Sequence, residues 1–491
     1  MTALGLSTPT CSTTGSPPNL PAVVPSVTPI GKNIVVFCDG TGQDGLISSL
    51  TKEEIADTQK QLGKPQALKK QSMHPVNYPT NVLRLSRCVL LFTDTEPRRL
   101  QIVYYQSGVG VGDDFQGNSD FGDDYEKARG TATGSKIRDA YNFIAQNYST
   151  GDKIYLFGFS RGAYTARKVA GLISKLGLLN KREMGRFFHY WSALDRNDPN
   201  VEIVVGRQVT IEFLGVWDTV GSVFEDLVSI SPKLNALTLV DTELPEAVKV
   251  ARHALSHHEN RKEFLPTPFA GFDPKRDVKQ IWFPGVHSDV GGSYREHLIA
   301  DITLCWMAGE AIAAGLTLDE EFLFDCFSDL REGTPELRLH FERQKGGPLS
   351  FLTVDRMAVV VKTPTSKEVV LPSISPKFLY HQSLWAEIRT APGGESFRVY
   401  PKNGGTDPEK APLTEFERIY WDMCGWNRLI PRPRLQLARG SSPAFKVQSP
   451  PLTPPPAAFK MVHKQHVEFE MMDDYLQDMI ESGTVAKTAE S

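Results

Sequence analysis

The stretch Lys153-Ile-Tyr-Leu-Phe-Gly-Phe-Ser-Arg-Gly-Ala-Tyr-Thr-Ala166 decides the fold. Its apolar start is typical of a buried strand, and the small residues at its end are typical of a helix that packs closely. Between them lies G-x-S-x-G, in which Gly158 and Gly162 remove side chains that would clash in a sharp strand-to-helix turn. Such a turn exposes the hydroxyl of Ser160 at the carboxyl edge of a sheet, so the pattern predicts a nucleophilic serine. The alternative is an ordinary glycine-lined turn without chemistry.

A nucleophilic serine needs a base and a carboxylate that orients the base. In α/β-hydrolases the order along the chain is Ser, then Asp or Glu, then His. Asp218 directly follows a predicted strand at 209–217, and His287 closely follows the next predicted strand at 278–283. Ligands in such sheets bind beyond the carboxyl ends of the strands, so Ser160, Asp218 and His287 are the candidate triad. Taken alone, Asp218 is more often a helix cap than a catalytic carboxylate.

Other titratable residues compete for these roles. His257 and His258 are predicted at the end of a helix over 245–257, away from a strand end, so both rank below His287 as the base. Asp289 is a secondary candidate that orients His287 or holds a cation, but it fits better as a cap of the turn at Gly291-Gly292.

Backbone N–H groups near two strand ends are candidates for an oxyanion hole. One is the N–H of Arg161, directly after the nucleophile, and the second comes from the loop after an earlier strand. The apolar run Asn33–Cys38 ends at Asp39-Gly40-Thr41, so Gly40 or Thr41 is the expected second donor. Asp39 is expected to brace this turn through hydrogen bonds to its backbone.

Strand and helix patterns alternate along most of the chain. The predicted strands lie at 33–38, 101–106, 153–157, 209–217 and 278–283, and the predicted helices at 81–91, 135–148, 161–176, 245–257 and 298–314. This alternation predicts an α/β fold of the α/β-hydrolase-like, doubly wound type, with a mostly parallel sheet, accessory insertions and a C-terminal extension.

Composition shifts divide the chain into segments. We predict a disordered tail over 1–30, a catalytic domain over 31–345, an accessory region packed on it over 346–430, a Pro-rich linker over 431–456 and a tail able to form a short helix over 457–491.

Bulk composition excludes several classes of protein. The 491 residues carry a net charge of −4, which provides no basic field to attract nucleic acid or anionic lipid. Any membrane contact therefore has to be apolar and local, and a transient contact of this kind is compatible with the sequence. No apolar run approaches the ~20 residues of a transmembrane helix, and the N-terminus lacks the basic region of a signal peptide. The six cysteines are scattered without a C-x-x-C pair. A cytoplasmic protein with reduced thiols, no metal and no cofactor is expected.

Two phosphate-linked motifs are incomplete. F-C-D-G-T at 37–41 is similar to the D-x-D-G-T loop of haloacid-dehalogenase-like phosphatases, but its nucleophilic position is occupied by Phe37. G-T-A-T-G-S-K at 130–136 does not have the spacing of a phosphate-binding loop, and the acidic residues that precede it would repel phosphate. Both interpretations are disfavoured.

Segments along the chain resemble, in family order, a family of α/β-hydrolases that includes phospholipase effectors of bacterial type VI secretion and many fungal members. The segments are V-F-C-D-G-T (36–41), N-V-L-R-L (81–85), Y-Y-Q-S-G-V-G (104–110), L-F-G-F-S-R-G-A-Y-T-A-R (156–167), L-G-V-W-D-T-V-G-S (214–222), D-T-E-L (241–244), H-A-L-S-H-H-E-N-R (253–261), W-F-P-G-V-H-S-D-V-G-G-S-Y (282–294) and A-D-I-T-L-C-W-M (300–307). The resemblance implies a triad at Ser160, Asp218 and His287 and an Asp-Gly turn at Asp39, Gly40 and Thr41.

The sequence departs from the family at two places. Relatives carry a small or apolar residue followed by an acidic one where this chain has His257-His258, and past residue 345 only Y-H-Q-S-L-W (380–385) aligns. The resemblance implies ester hydrolysis, with phospholipid acyl esters as the best-supported substrates among relatives. The residues themselves do not select phospholipid over another acyl ester. The apolar stretch 224–239 fits a lid over a lipid-binding cleft or an accessory helix, and the alternative function is a catalytically silent scaffold on the same fold.

Overall fold

Apolar runs of the sequence form the strands of the computed structural model. It describes residues 31–41, 43, 78–108, 125–196, 206–220, 242–259, 261, 264–328, 330–331, 337–339, 360–362, 368–370, 379–386, 388–390, 396–397 and 409–429. Its strands are β1 (Asn33–Cys38), β2 (Gln101–Gln106), β3 (Lys153–Phe159), β4 (Ile211–Trp217), β5 (Val248–Ser256), β6 (Asp277–Phe283), β7 (Leu337–Leu339), β8 (Val360–Lys362), β9 (Glu368–Val370), β10 (Leu379–Tyr380), β11 (Ile388–Thr390) and β12 (Ser396–Phe397).

Seven of these strands form the main sheet, in the order β2-β1-β3-β4-β5-β6-β10. Every neighbouring pair in it is parallel. The chain builds outward in one direction from β1 to β2 and in the other from β3 onward, so the winding reverses between β1 and β3. Loops diverge at such a switch point and leave a crevice at the carboxyl ends of the strands. The predicted doubly wound, mostly parallel α/β sheet is confirmed.

Helices cover both faces of the sheet. They are α1 (Asn81–Cys88), α2 (Tyr125–Asn147), α3 (Arg161–Leu176), α4 (Phe187–Arg196), α5 (His287–Gly291), α6 (Leu298–Ala313), α7 (Glu320–Asp325) and α8 (Glu415–Met423). Alternate residues of β1 show the two layers: Ile34 and Val36 belong to the core that includes α2 and α3, whereas Val35 and Phe37 belong to the core that includes α1 and α6. Burial on both faces explains why these strands read as unbroken apolar runs.

The helix predicted over 245–257 is wrong. Val248–Ser256 forms β5, which lies between β4 and β6 and is buried along most of its length. Ala, Leu and Arg favour helices, but pairing on both edges overrides such local preferences. His257 and His258 therefore follow a strand end, so the ground for ranking them below His287 was also wrong. His287 follows the second strand after β4, not the next one.

Helix α2 begins at Tyr125, earlier than the predicted start at residue 135. It contains the whole segment 130–136, so the sequence that resembled a phosphate-binding loop is helical. Gly130 and Gly134 interrupt the helical spacing of apolar residues, so the sequence pattern did not predict the first part of this helix.

Elements from the later part of the chain, β10 and α8, complete the core. β10 pairs with β6, and α8 packs on α6, where a Cβ added at Gly309 would lie 3.0 Å from Cβ of Phe416. Residues 1–30, the proposed lid at 224–239 and residues 430–491 lie outside the described residues, and the domain boundaries stay a prediction. Within the described part of the chain, no helix is both long and apolar enough to cross a bilayer.

Candidate active site

Ser160 lies on a sharp turn at the carboxyl end of β3. It is the single residue between β3 and α3, and its φ of 58° and ψ of −122° are unusual for a residue with a side chain. A backbone conformation in a sparsely populated region of φ/ψ space is strained, and it is kept only where the surrounding structure holds it. Here the Ser160 N–H donates to the carbonyl oxygen of Trp217 at 3.1 Å, which fixes the turn to the end of β4.

The two glycines of G-x-S-x-G lie where a side chain cannot be placed. A Cβ at Gly158 would lie 2.4 Å from the carbonyl oxygen of Gly162, and a Cβ at Gly162 would lie 2.1 Å from that of Cys38. Both contacts are with backbone atoms, which cannot swing away. The start of α3 therefore approaches the ends of β1 and β3 at a distance that glycine alone permits.

Asp218 directly follows β4 and is fully buried. Its Oδ1 accepts the N–H of Ser256 at 2.9 Å, and its Oδ2 accepts the hydroxyl of Ser256 at 2.9 Å. The same Oδ2 lies 2.6 Å from Nδ1 of His287. An ionised carboxylate only accepts, so we assign the Nδ1 proton to His287, which leaves the lone pair of the imidazole on Nε2. This is the tautomer that a general base acting through Nε2 requires.

His287 is the first residue of α5, and its ring lies between two aromatic rings. The centroid of Phe159, next to Ser160 in sequence, is 4.6 Å away, and that of Phe264 is 4.7 Å away at a steep angle. Within the described residues, neither Oγ of Ser160 nor Nε2 of His287 is engaged in a hydrogen bond. Catalytic contacts of this kind often tighten only when substrate is bound.

The loop after β1 lies against Ser160. A Cβ added at Gly40 would lie 3.4 Å from Cβ of Ser160 and 2.9 Å from the ring of Phe159. The Gly40 N–H donates to Oδ1 of Asp39 at 2.7 Å, which favours Thr41 over Gly40 as the second oxyanion donor. Oγ1 of Thr41 is buried without a hydrogen-bond partner among the described residues.

Asp39 holds this loop in place. Its Oδ2 accepts the hydroxyl of Thr80 at 2.8 Å and that of Tyr105 at 2.6 Å. Thr80 is also the N-cap of α1, so one carboxylate ties the loop after β1 to the start of α1 and to β2. The sequence singled out Asp39 but neither of its hydroxyl partners.

Asp289 and His258 both contact the backbone around residue 286. Oδ2 of Asp289 accepts the N–H of Val286 at 3.0 Å. Nδ1 of His258 accepts the N–H of Gly285 at 2.8 Å. These contacts brace the loop that carries His287, and within the described residues no cluster of three or more His, Cys, Asp or Glu side chains is suited to a metal ion.

Burial also excludes Cys38, just before Asp39, as a candidate nucleophile. Removal from water is the main cause that raises the pKa of this thiol to about 12, and the nearby charge of Lys136 lowers it by less. Cys38 is therefore a neutral thiol at physiological pH, and a thiol is a poor nucleophile compared with a thiolate.

Two groups at the end of β5 were missed by the sequence analysis. Ser256 supplies two of the hydrogen bonds to Asp218, and Glu259 accepts the N–H of His287 at 3.2 Å. If 248–256 had been recognised as a strand, both groups would have been placed at the same sheet edge as the candidate triad. The incorrect helix prediction hence removed the signal that could have found them.

Residues 32–310 match the sequence model of a family described as the catalytic domain of Tle1-like phospholipase effectors of the type VI secretion system. The match spans more than half of the 491 residues. The chain belongs to this family. The Tle1-like region runs from the residue before β1 into α6, and it includes Ser160, Asp218 and His287.

Individual relatives of this Tle1-like chain are distant. The uncharacterised protein YEL023C of Saccharomyces cerevisiae is 29% identical over 210 residues, which cover 38% of this chain and 29% of that protein. The chain thus spans less than a third of the length of this curated relative. The structure of the Tle1 effector bound to the VgrG spike is 20% identical, with a TM-score of 0.31 over 54% of this chain and 52% of that one. An uncharacterised protein from Pseudomonas aeruginosa is 21% identical, with a TM-score of 0.32 over 60% of this chain and 47% of that one.

Proposed function

We propose that this chain is a serine hydrolase that cleaves acyl esters of lipids, with Ser160 as nucleophile, His287 as base and Asp218 as the orienting carboxylate. The observation that carries the proposal is the buried contact of 2.6 Å between Asp218 and Nδ1 of His287, at the sheet edge where Ser160 occupies a strained turn. A buried carboxylate on Nδ1, with Nε2 left to act, is the arrangement of the serine hydrolases.

The chemistry proceeds in two halves. Oγ of Ser160 attacks the ester carbonyl carbon while Nε2 of His287 takes its proton, and the carbonyl oxygen becomes an oxyanion held by the N–H groups of Arg161 and Thr41. The carbon–oxygen bond to the alcohol then breaks, and the alcohol leaves with the proton from His287. Water, activated by the same imidazole, attacks the acyl-enzyme, releases the carboxylic acid and restores Ser160.

Family membership supports the lipid ester as substrate class. The family description names phospholipase effectors, and lipid-ester hydrolysis in general is consistent with it. The reaction as written needs neither a metal nor an organic cofactor. Because such substrates lie in membranes, we expect transient apolar contact with a bilayer, and the net charge of −4 does not favour nucleic acid as a partner.

Covalent labelling tests the nucleophile. A fluorophosphonate probe should label the wild-type chain at Ser160, identified by peptide mass spectrometry, and should not label Ser160→Ala. Hydrolysis of esters of graded acyl length and of phospholipid vesicles should disappear in the same variant. Equal labelling of both proteins would refute the assignment, and a folded chain that takes no label and hydrolyses no ester would identify a scaffold.

A further inference from the structure

The backbone of His287 is held by a carboxylate from a neighbouring strand end. Oε2 of Glu259, three residues past β5, accepts the N–H of His287 at 3.2 Å, and the side chain of Glu259 is 1% exposed. No part of the triad chemistry uses this carboxylate. A buried charge is costly unless it is paired, so its partner matters for the whole arrangement.

Arg261 is that partner. Its Nη2 donates to Oε2 of Glu259 at 2.7 Å, and its Nε donates to Oε1 at 2.9 Å. The backbone N–H of Arg261 also donates to Oε1 at 2.9 Å. The planar guanidinium thus fixes both oxygens of Glu259, and such two-point contacts combine strength with defined geometry.

The same guanidinium reaches the ring of His287 by a second route. Cζ of Arg261 lies 3.7 Å from the centroid of Phe264, and the ring of Phe264 meets the ring of His287 at 4.7 Å and 65°. Stacking of a guanidinium on an aromatic face is favourable, and it fixes the plane of Phe264. One face of His287 already contacts Phe159, so Phe264 restricts the imidazole from another direction.

We propose that Glu259 and Arg261 form a positioning pair for His287, acting on its backbone through the Glu259 carboxylate and on its ring through Phe264. This inference rests on the proposed function, because it assigns the pair to a base that serves Ser160. The pair contacts neither the reacting atoms nor the substrate. Arg261 has a second role, which is to balance the charge of Glu259 beside an imidazole that becomes positive in the reaction.

Among the described residues, the charged and titratable groups around His287 come from three segments. They are Asp218 after β4, His258, Glu259 and Arg261 after β5, and Asp289 and Tyr294 in the segment that begins with His287 itself. Removal of Arg261 takes a positive charge away from the surroundings of His287, which favours the imidazolium, whereas neutralisation of Glu259 takes a negative charge away, which disfavours it. The two changes therefore have opposite electrostatic effects on the same base.

Paired variants test the proposal through the pH dependence of kcat/KM on a soluble p-nitrophenyl acyl ester and through the rate of fluorophosphonate labelling. Arg261→Met keeps the length of the side chain, Glu259→Gln keeps its shape, and the double variant removes both charges. We expect each single variant to lose about tenfold or more in labelling rate and kcat, with KM little changed, since small misplacements of a catalytic group have large effects. The acidic limb of the pH profile should move to higher pH in Arg261→Met, to lower pH in Glu259→Gln, and back towards the wild type in the double variant.

Controls separate this proposal from general damage and from failure of the proposed function. Arg138→Met removes an exposed cation paired with Asp139 and should leave rate and profile unchanged. Arg261→Lys keeps the charge, so it should keep the acidic limb and recover part of the rate. If the wild type is labelled at Ser160 but the acidic limb of the pH profile is unshifted in both single variants, the positioning pair is refuted and the triad stands. If the wild type is not labelled, the triad itself is refuted. Should Arg261→Met fail to fold, Glu259→Gln and Arg261→Lys still test the pair, because the acidic limb should move to lower pH in the first and stay in place in the second while both lose rate.

Discussion

The substitution Ser256→Ala tests how the triad carboxylate is held. Ser256 supplies two of the three hydrogen bonds described for the Asp218 side chain, and the substitution removes the one from its hydroxyl while keeping the one from its backbone. Asp218 and Ser256 are both fully buried, so water does not replace the lost donor. A hydrogen bond to a charged group contributes about 1.5–3 kcal/mol, and we expect the free energy of unfolding to fall by about that amount.

Activity should fall as well, because Oδ2 of Asp218, which contacts Nδ1 of His287, loses the hydroxyl of Ser256 and is held less firmly towards the imidazole. If the lower bound of about 1.5 kcal/mol is expressed in the transition state, kcat/KM falls by about tenfold. The assays are urea unfolding monitored by circular dichroism and hydrolysis of a soluble acyl ester.

Ser86→Ala is the matched control for this substitution. It removes a similarly buried hydroxyl whose bond goes to the Leu83 carbonyl oxygen within the same helix, at 2.7 Å. We expect at most a small loss of stability and unchanged kcat/KM. If Ser256→Ala is destabilised but keeps the wild-type kcat/KM, Ser256 serves the fold alone. An unchanged free energy of unfolding would refute the stabilising hydrogen bond from the Ser256 hydroxyl to Asp218.

Three further predictions concern other parts of the molecule. Thr41→Val removes a buried hydroxyl without a described partner, so we expect the free energy of unfolding to rise by about 1 kcal/mol. The variant keeps the backbone N–H proposed as the oxyanion donor, so kcat should be little changed, and a tenfold fall that Thr41→Ser does not show would place the hydroxyl in the oxyanion hole as well. Gly158→Ala should greatly lower the yield of folded protein and its Tm, because its Cβ meets backbone at 2.4 Å, whereas Gly185→Ala, with nothing within 4 Å, should be tolerated. Asp301→Asn should lower the free energy of unfolding by about 3–5 kcal/mol at pH 7, because it leaves the buried guanidinium of Arg84 unpaired. Burial raises the pKa of Asp301, but Arg84, His297 and Ser328 together lower it to below its ordinary 3.8. This stabilisation is therefore present above about pH 4 and is lost as the pH falls through the lowered pKa. Urea unfolding between pH 2.5 and 7 should show this loss in the wild type and not in the variant.

The central part of the fold was predictable from short-range patterns. β1 and β3 are apolar on both faces, and the glycines around Ser160 mark a close approach of backbones that needs no knowledge of the rest of the chain. A motif of this kind is local, so the sequence contains all of the information that defines it. The positions of Asp218 and His287 after strand ends followed from the same local signals.

The error at β5 arose from information that is not local. Its residues include good helix formers, and the strand exists because β4 and β6 pair with both of its edges. The contacts of Ser256 with Asp218 and of Glu259 with His287 depend on the alignment of three strand ends, so no spacing within the sequence predicts them. The ground given for ranking His257 and His258 below His287 was wrong for the same reason, since His258 contacts the loop at Gly285 from the end of this strand.

The all-parallel main sheet has a consequence for when the candidate triad is assembled during folding. Parallel neighbours require long crossovers, so Ser160 and His287 are brought together by strand pairings that are distant in the chain. Contacts of this kind form late, because the entropy of closing long loops is lost before the pairing compensates for it. A partly folded chain with β1 and β3 paired lacks both the end of β4 that fixes the serine turn and the strand ends that hold the imidazole. Recovery of fluorophosphonate labelling during refolding should therefore lag behind the recovery of helical circular dichroism and report the completion of β4, β5 and β6.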